Sequence, residues 1–394
     1  MSLDTPAGPW DIGDAHPPAV GAAVSAAEQV LSRRFGARIT LGEPEDLGGG
    51  GDATVVRVRV ASSPYSLPRT LVVKRYPGGG NAGFAREAGS YQLFNALAEE
   101  DRVSAELYAH GGDEQVLVLE DLGAAPTLED KLLGGDARAA EQALLGWARA
   151  LGRLHATTAG READFDALMR RQHHSADEQS MLSTAVDSAR ELPALLERTL
   201  GVRETAATSQ FVERAAGLLS GGRHRAYSPA DVCPDNNLIA DVGARFLDFE
   251  GGCVREALLD VGYLLVPFPS CWCSFALPDG MSAAMLAVWR AEVVGAWPDL
   301  ADDDQLDVQL LDARLFWVWL STWWLLPRAD EEDSPIDPAH PSPRRGVALA
   351  ARWCELADEA TRLDVGDVAG YSEATAAALD RRFGADLELF PAFR

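Results

Sequence analysis

Three side chains in one stretch of the sequence have the chemistry that phosphoryl transfer requires. The stretch reads SPADVCPDNNLIADVGARFLDFEGG, in which Asp231 precedes Asn236 by five positions and Asp248 follows a short β pattern. Such a transfer needs a carboxylate to orient the acceptor hydroxyl and hard oxygen ligands for a metal ion. We expect Asp231 to be the catalytic carboxylate, and Asn236 and Asp248 to bind magnesium. The alternative is a surface turn, in which Asp, Asn and Pro are common.

A lysine and a glutamate upstream have the spacing of a phosphate-binding pair. Lys74 ends the apolar run LVVK, which predicts a strand, and Glu87 lies thirteen residues later in a segment with helical spacing. A strand lysine of this kind reaches phosphate oxygens, and a glutamate on the following helix pairs with it. A solvated surface lysine is the alternative. The order of Lys74, Glu87 and the Asp231 stretch along the chain favours a functional role.

Two further segments are candidates for nucleotide binding. Gly49, Gly50 and Gly51 lie in LGGGGDAT, where backbone N–H groups can approach phosphates without a side-chain clash. The alternative for this run is a flexible hairpin turn. The apolar strand VLVLEDLG ends at Glu120 and Leu122, where backbone groups of a connector could bind the adenine edge. The alternative there is an ordinary strand end.

The elements that must position these residues follow an α+β pattern. Residues 1–36 read as an arm followed by a helix, and residues 37–123 as antiparallel strands with one helix. Residues 124–330 are mainly helical, and residues 331–394 contain a proline-rich linker and a helical extension. The pattern predicts a bilobal α+β fold with a small N-terminal sheet lobe for the nucleotide and a larger helical C-terminal lobe for the acceptor.

Composition excludes several classes of protein. The 394 residues are 47% hydrophobic, which is enough for two lobes with packed cores. A formal net charge of −25 argues against sequence-independent binding to nucleic acid or to a membrane surface. Without an apolar run of membrane-spanning length or a signal-peptide pattern, we expect a cytoplasmic protein. The acidic balance would attract a cationic substrate, although solubility alone also explains it.

The cysteines and the aromatic residues each leave two interpretations. We expect reduced thiols at all five cysteines because their spacing lacks the pairing of a metal site, with a disulfide or zinc site as the alternative. These cysteines are Cys233, Cys253, Cys271, Cys273 and Cys354. The aromatic residues between 265 and 330 fit a cage for a cation, but the helical spacing of FWVWLSTWW favours core packing.

The motifs taken together resemble the aminoglycoside phosphotransferase and choline kinase group, a branch of the protein-kinase-like fold. That family has a catalytic loop of the approximate form H-G-D-x-x-P-x-N and a metal loop of the form I-D-[WF]-E, and here PADVCPDN and LDFE stand in those places. REAGSYQLF, LGRLHATT and LLDVGYLL are similar to three further family segments. The resemblance covers residues 40 to 330 approximately.

The resemblance implies a role for each candidate residue. It implies that Asp231 is the catalytic carboxylate and that Asn236 and Asp248 are the metal ligands. It implies further that Lys74 binds phosphate and that Glu87 is its partner. It also implies that Asp260 supports the catalytic loop and that His155 is structural. The implied cofactors are Mg²⁺ and ATP, with GTP as the other candidate nucleotide.

The expected activity is phosphorylation of a hydroxyl on a small, amine-bearing molecule, such as an aminoglycoside-type antibiotic or a related metabolite, by a monomer or homodimer. One alternative is a sugar or choline-like amino-alcohol kinase of metabolism. A second alternative is a nucleotide-binding pseudokinase, because Pro229 and Ala230 stand where the family has His and Gly. A proline side chain has neither a donor nor an acceptor, so Pro229 cannot hold the catalytic loop through side-chain hydrogen bonds as a His can.

Overall fold

The computed structural model describes most of the chain, in eight stretches. They are residues 17–48, 53–78, 82–172, 180–219, 221–240, 243–330, 335–337 and 340–394. Most of the arm and part of the linker that the sequence predicted, residues 1–16, 331–334 and 338–339, therefore lie outside the described residues.

Contacts divide the chain into two compact units. The sheet unit comprises Met1–Ala125, Ala163–Ala176 and Leu247–Gly252. The helical unit comprises Pro126–Glu162, Asp177–Phe246 and Cys253–Arg394. Residues 247–252, which include Asp248, belong to the sheet unit although their chain neighbours belong to the helical unit.

The strands of the described chain belong to one larger sheet and two hairpin-sized sheets. They are β1 Thr40–Asp46, β2 Thr54–Ser62, β3 Thr70–Arg75, β4 Leu107–Gly111, β5 Val116–Glu120, β6 Arg225–Ser228, β7 Asn237–Ala240, β8 Gly243–Phe246 and β9 Cys253–Glu256. The larger sheet has the order β1-β2-β3-β5-β4 with antiparallel neighbours, and β6 pairs with β9 and β7 with β8.

The helices of the described chain lie mostly in the helical unit. They are α1 Pro17–Phe35, α2 Ala82–Asn95, α3 Leu128–Leu133, α4 Ala137–Thr158, α5 Glu162–Arg171, α6 Ser180–Leu200, α7 Ala206–Gly217, α8 Leu258–Leu265, α9 Met281–Val293, α10 Asp303–Leu325, α11 Arg345–Arg362 and α12 Gly366–Phe383. None of the helices described is both long enough and apolar enough to cross a membrane.

The core of the sheet unit forms where α1 covers the sheet. Val56 and Val58 alternate with more exposed residues along β2, as expected for a strand with one buried face. They join a single apolar cluster with Ala27 and Leu31 of α1. This packed core supports β3, which carries Lys74.

Helix α2 forms where its sequence has helical spacing, and most of its residues are buried. Phe84, Ala88, Tyr91 and Phe94 recur at steps of four and three and are all buried. The rings of Tyr91 and Phe94 lie 5.1 and 4.9 Å from that of Phe249. The same helix therefore carries Glu87 and fixes the segment that contains Asp248.

The helical unit packs around α10, in which three aromatic residues are buried while Trp323 and Trp324 are only partly buried. Phe316, Trp317 and Trp319 lie in its interior, and the Trp317 indole N–H donates to the Leu259 carbonyl at 2.6 Å. Gly262 on α8 is required at this contact because a Cβ there would collide with the Trp317 ring. Core packing therefore explains these three aromatic side chains.

The predicted α+β fold, with a small antiparallel sheet part and a larger mainly helical part, is confirmed.

Candidate functional site

Lys74 lies in β3 with its amine between two carboxylates of the sheet unit. Its Nζ is 2.9 Å from Glu87 Oε2 and 2.6 Å from Asp248 Oδ1. Burial lowers the pKa of Lys74, but the two carboxylates outweigh burial and keep this pKa above its ordinary value. Lys74 is therefore a charged, buried cation. The spacing predicted its contact with Glu87, whereas its contact with Asp248 is a finding of the structure.

Glu87 is almost fully buried and is held by three donors. The Tyr76 hydroxyl donates to Oε2, the Phe249 N–H donates to Oε1 at 3.4 Å, and Lys74 supplies the cation. Burial raises the pKa of Glu87, while the Lys74 amine lowers it. Tyr76 was missed by the sequence analysis. Its signal was its position two residues after Lys74, since alternate residues of an extended chain share a face.

Asp248 lies in a turn and has an unusual backbone conformation. Its φ is 57°, in the left-handed region that Asp tolerates better than most residues. The turn places its carboxylate beside Lys74 while leaving the side chain 31% exposed. Two residues later, burial raises the pKa of Glu250, and the Asp248 charge raises it further. The sheet unit thus presents a partly open carboxylate next to a buried cation.

The catalytic-loop candidate belongs to the helical unit and is stabilised by its own backbone. The Cys233 N–H donates to Asp231 Oδ1 at 3.0 Å. A single turn of 3-10 helix, Pro234–Asn236, follows, and the Asn236 N–H donates to the Cys233 carbonyl at 3.0 Å. Asn237 adds a bond from Nδ2 to the Val232 carbonyl at 3.2 Å. Asp231 and Asn236 therefore lie in one compact loop.

Asp260 lies in a buried network beneath this loop. Burial raises the pKa of Asp260, but Arg255 and His155 lower it, to a net value of about 2. The Trp289 indole N–H donates to His155 Nδ1 at 3.0 Å. Because a Trp side chain can only donate, His155 carries its proton on Nε2, which lies 3.0 Å from Asp260 Oδ2. His155 thus joins Trp289 and Asp260 within the core of the helical unit.

The prediction that all five cysteines are reduced thiols is wrong for two of them. Cys233 and Cys271 form a disulfide with a Cα–Cα separation of 5.7 Å, and Cys253, Cys273 and Cys354 are free. The pair is separated by 38 positions and has no spacing motif, so only the fold shows that the two residues meet. The disulfide links the loop that contains Asp231, at a point two residues after Asp231, to the segment after α8.

Reduction of this disulfide is expected to destabilise the helical unit. A cross-link that closes a loop of this length stabilises the native state by about 3–4 kcal/mol in the chain-entropy account. Dithiothreitol, or the replacement of both Cys233 and Cys271 by Ser, should therefore lower the melting temperature, while Cys354→Ser should leave it nearly unchanged. Thiol titration of denatured protein purified without reductant should find the three free thiols. A titration that finds every cysteine free would contradict the prediction.

The remaining nucleotide-binding candidates are only partly described. Gly49, Gly50 and Gly51 lie outside the described residues. Glu120 ends β5, where its N–H donates to the Glu106 carbonyl at 2.8 Å and its Oε2 accepts the Glu106 N–H at 3.1 Å. The roles of Glu120 and Leu122 beside an adenine stay predictions.

Magnesium is implied by the resemblance, and the oxygen donors available fit this ion. Among the described residues no group of three or more His, Cys, Asp or Glu side chains could hold a metal ion. Magnesium, however, keeps several waters and takes one or two carboxylates together with substrate phosphates. The partly exposed Asp248 carboxylate and the Asn236 amide offer hard oxygens of the required kind. Both stay predicted ligands.

Comparison with known proteins gives no match by sequence and clear matches by structure. No family model and no curated protein matches the chain. A choline/ethanolamine kinase family protein from Mesorhizobium loti is 15% identical, with a TM-score of 0.44 over 85% of this chain and 93% of that one. The similar solved structures are small-molecule kinases.

Two further structures show the range of this similarity. A putative fructosamine-3-kinase from Haemophilus somnus is 12% identical, with a TM-score of 0.46 over 78% of this chain and 93% of that one. A thermostable mutant of aminoglycoside phosphotransferase APH(4)-Ia is 15% identical, with a TM-score of 0.39 over 91% of this chain and 99% of that one. The resemblance predicted from the motifs is confirmed. At these TM-scores and identities it assigns no substrate and no residue role.

Proposed function

We propose that this protein is a magnesium-dependent kinase that transfers a phosphoryl group from ATP, or GTP, to a hydroxyl of a small molecule. The observation that carries the proposal is the buried Lys74 amine, held between Glu87 and the partly exposed Asp248. A buried lysine that is kept charged by two carboxylates, one of them partly open to solvent, is a candidate for a functional site. A nucleotide phosphate is the ligand that this arrangement of a cation beside a metal-binding carboxylate suits.

The proposed reaction assigns one task to each group. The oxygen of the acceptor hydroxyl attacks the γ-phosphorus, and the bond from that phosphorus to the leaving nucleoside diphosphate breaks. Asp231 orients the hydroxyl and accepts its proton late in the transfer. Lys74 binds phosphate oxygens, and Asn236 and Asp248 provide oxygens for the metal. Magnesium, when bound, would neutralise charge on the phosphates.

We propose further that the acceptor carries an amine. The net charge of −25 favours the approach of a cation. Within the helical unit, burial raises the pKa of Glu129 to about 7, and the neighbouring charges of Asp235 and Asp130 contribute to this rise. A bound cation would stabilise neighbouring carboxylates that repel each other in this way. A sugar or choline-like kinase is the alternative enzyme, and a pseudokinase the alternative without turnover.

Nucleotide binding is tested by thermal unfolding with and without magnesium. At a ligand concentration 100 times Kd, binding stabilises the native state by about 2.7 kcal/mol, which should raise the melting temperature of the wild type by about 5 °C with Mg-ATP or Mg-GTP. Asp248→Ala should lose this rise because it removes a metal ligand. Asp364→Ala is the matched control, since Asp364 also has a φ of 57°. The absence of a shift with either nucleotide in the wild type would contradict the proposal.

A further inference from the structure

Ser228 links the catalytic loop to the buried Asp260. It ends β6 and is fully buried, and its hydroxyl donates to Asp260 Oδ1 at 2.8 Å. The same oxygen accepts the Ala230 N–H at 3.0 Å. A serine hydroxyl has one donor and two acceptor positions, so it makes both bonds at once. The side chain beside Pro229 thereby supplies the donor and acceptor that proline lacks.

Ala230 is held in a conformation that its side chain disfavours. Its φ is 68°, in the left-handed region where a Cβ is crowded by the following carbonyl. Its N–H is bound by Ser228, and its carbonyl accepts from Arg255 Nη2 at 3.4 Å. Arg255 also forms a buried ion pair with Asp260. Both backbone polar groups of Ala230 are therefore bound by residues that themselves bind Asp260.

This arrangement lies immediately before Asp231 in the chain. Strained backbone conformations persist only where the surrounding contacts enforce them, and they occur often at functional sites. The direction that the chain takes at Ala230 sets where the Asp231 carboxylate points. A loss of the Ser228 bonds would release Ala230 toward ordinary φ values and displace that carboxylate.

We propose that Ser228 is a positioning residue, whose hydroxyl keeps Ala230 in the left-handed conformation and so holds Asp231 in place for the acceptor hydroxyl. The inference rests on the proposed function, because it takes Asp231 as the catalytic carboxylate. A serine with only a structural role would stabilise the helical unit and leave turnover unchanged. The two roles differ in what they do to kcat.

The first test compares two buried serines of the helical unit. Ser228→Ala should lower kcat roughly 10- to 100-fold, as expected for a lost hydrogen bond to a charged group, and leave KM for ATP within about twofold. Ser321→Ala is the matched control, because Ser321 is also fully buried and its hydroxyl donates to the Val318 carbonyl at 3.2 Å. It should lose stability without losing kcat.

A rescue variant separates positioning from general destabilisation. Glycine adopts positive φ without steric cost, so Ala230→Gly should favour the required conformation even without the serine hydroxyl. In a double-mutant cycle, Ser228→Ala with Ala230→Gly should recover much of the kcat lost in Ser228→Ala alone. If the effects of the two substitutions on kcat simply add, with no recovery in the double variant, the proposed role of Ala230 is overturned.

Amide hydrogen exchange over residues 230–233 gives a readout that needs no turnover. Exchange should quicken in Ser228→Ala, slow again in the double variant, and stay unchanged in Ser321→Ala. If Ser228→Ala has the same loop exchange and the same kcat as Ser321→Ala, the proposal is overturned. If the wild type transfers no phosphate while loop exchange responds as expected, Ser228 positions the loop and the proposed function fails.

Discussion

Replacing Asp231 by Asn is expected to reduce phosphoryl transfer about 10²- to 10⁴-fold, the range for loss of a general base. Asn keeps the size of the side chain and an oxygen that can accept the Cys233 N–H, which donates to Asp231 Oδ1 at 3.0 Å. It lacks the negative charge that accepts the hydroxyl proton. The fall should therefore appear in kcat, with KM for ATP and the melting temperature nearly unchanged.

A nearby aspartate provides the control for this change. Asp235→Asn removes the same charge from the same loop, four positions away. Because Asp235 is one of the carboxylates proposed to favour a cationic acceptor, this change should raise KM for an amine-bearing acceptor but leave kcat within about threefold. Steady-state kinetics on the wild type and the two variants distinguish a specific carboxylate from a general field effect. Equal losses of kcat in Asp231→Asn and Asp235→Asn would contradict the assignment of Asp231.

Replacing Lys74 by Met is expected to impair both activity and stability. Without the cation, kcat/KM for ATP should fall about 10²- to 10³-fold, as when one preorganised electrostatic contact is removed. The variant also leaves Glu87 buried without its ion-pair partner, and breaking a buried pair costs about 3–5 kcal/mol. Denaturant unfolding at several pH values measures this second effect.

The pH dependence of the Lys74→Met variant identifies the buried carboxylate. Burial raises the pKa of Glu87 in the wild type, and Lys74 opposes that rise, so the pKa climbs further in the variant. A group whose folded pKa is raised stabilises the fold in acid, and this contribution is lost as pH rises through the folded pKa. The loss of unfolding free energy in Lys74→Met, relative to the wild type, should therefore be small below about pH 4, near the ordinary pKa of Glu, and large at about pH 8.

A second substitution separates the two effects of losing Lys74. Adding Glu87→Gln to Lys74→Met removes the uncompensated carboxylate and should restore stability at alkaline pH. It should not restore activity, because the cation proposed to bind phosphate is still absent. A double variant that regains activity would show that Lys74 acts through the stability of the sheet unit and not through the nucleotide.

Sequence periodicity predicts those contacts of the site that lie within one helix or strand, or between two elements that are consecutive in the chain. Phe84, Tyr91 and Phe94 are buried because steps of three and four residues place them on one face of α2. Lys74 and Glu87 meet because β3 and α2 are consecutive elements whose facing sides follow from the same local patterns. This much depends on short-range geometry, which composition and spacing reveal.

The long-range contacts of the site have no comparable signal in a single sequence. Lys74 and Asp248 are 174 positions apart, and their contact depends on Phe249 packing against α2. The Cys233–Cys271 disulfide depends likewise on how α8 and the loop after it fold back. The sequence did not indicate a role for Ser228, because its two hydrogen bonds form only when folding brings the end of β6 next to Asp260.

Transfer of the γ-phosphoryl group from labelled ATP to a panel of hydroxyl compounds, with and without amines, tests the proposed activity most directly. The proposal predicts a labelled product that requires magnesium, forms best with amine-bearing acceptors, and is lost in Asp231→Asn. No labelled product, and no ATP hydrolysis above that of Asp231→Asn with any acceptor, would contradict it. A magnesium-dependent thermal shift without transfer would identify a nucleotide-binding protein without turnover.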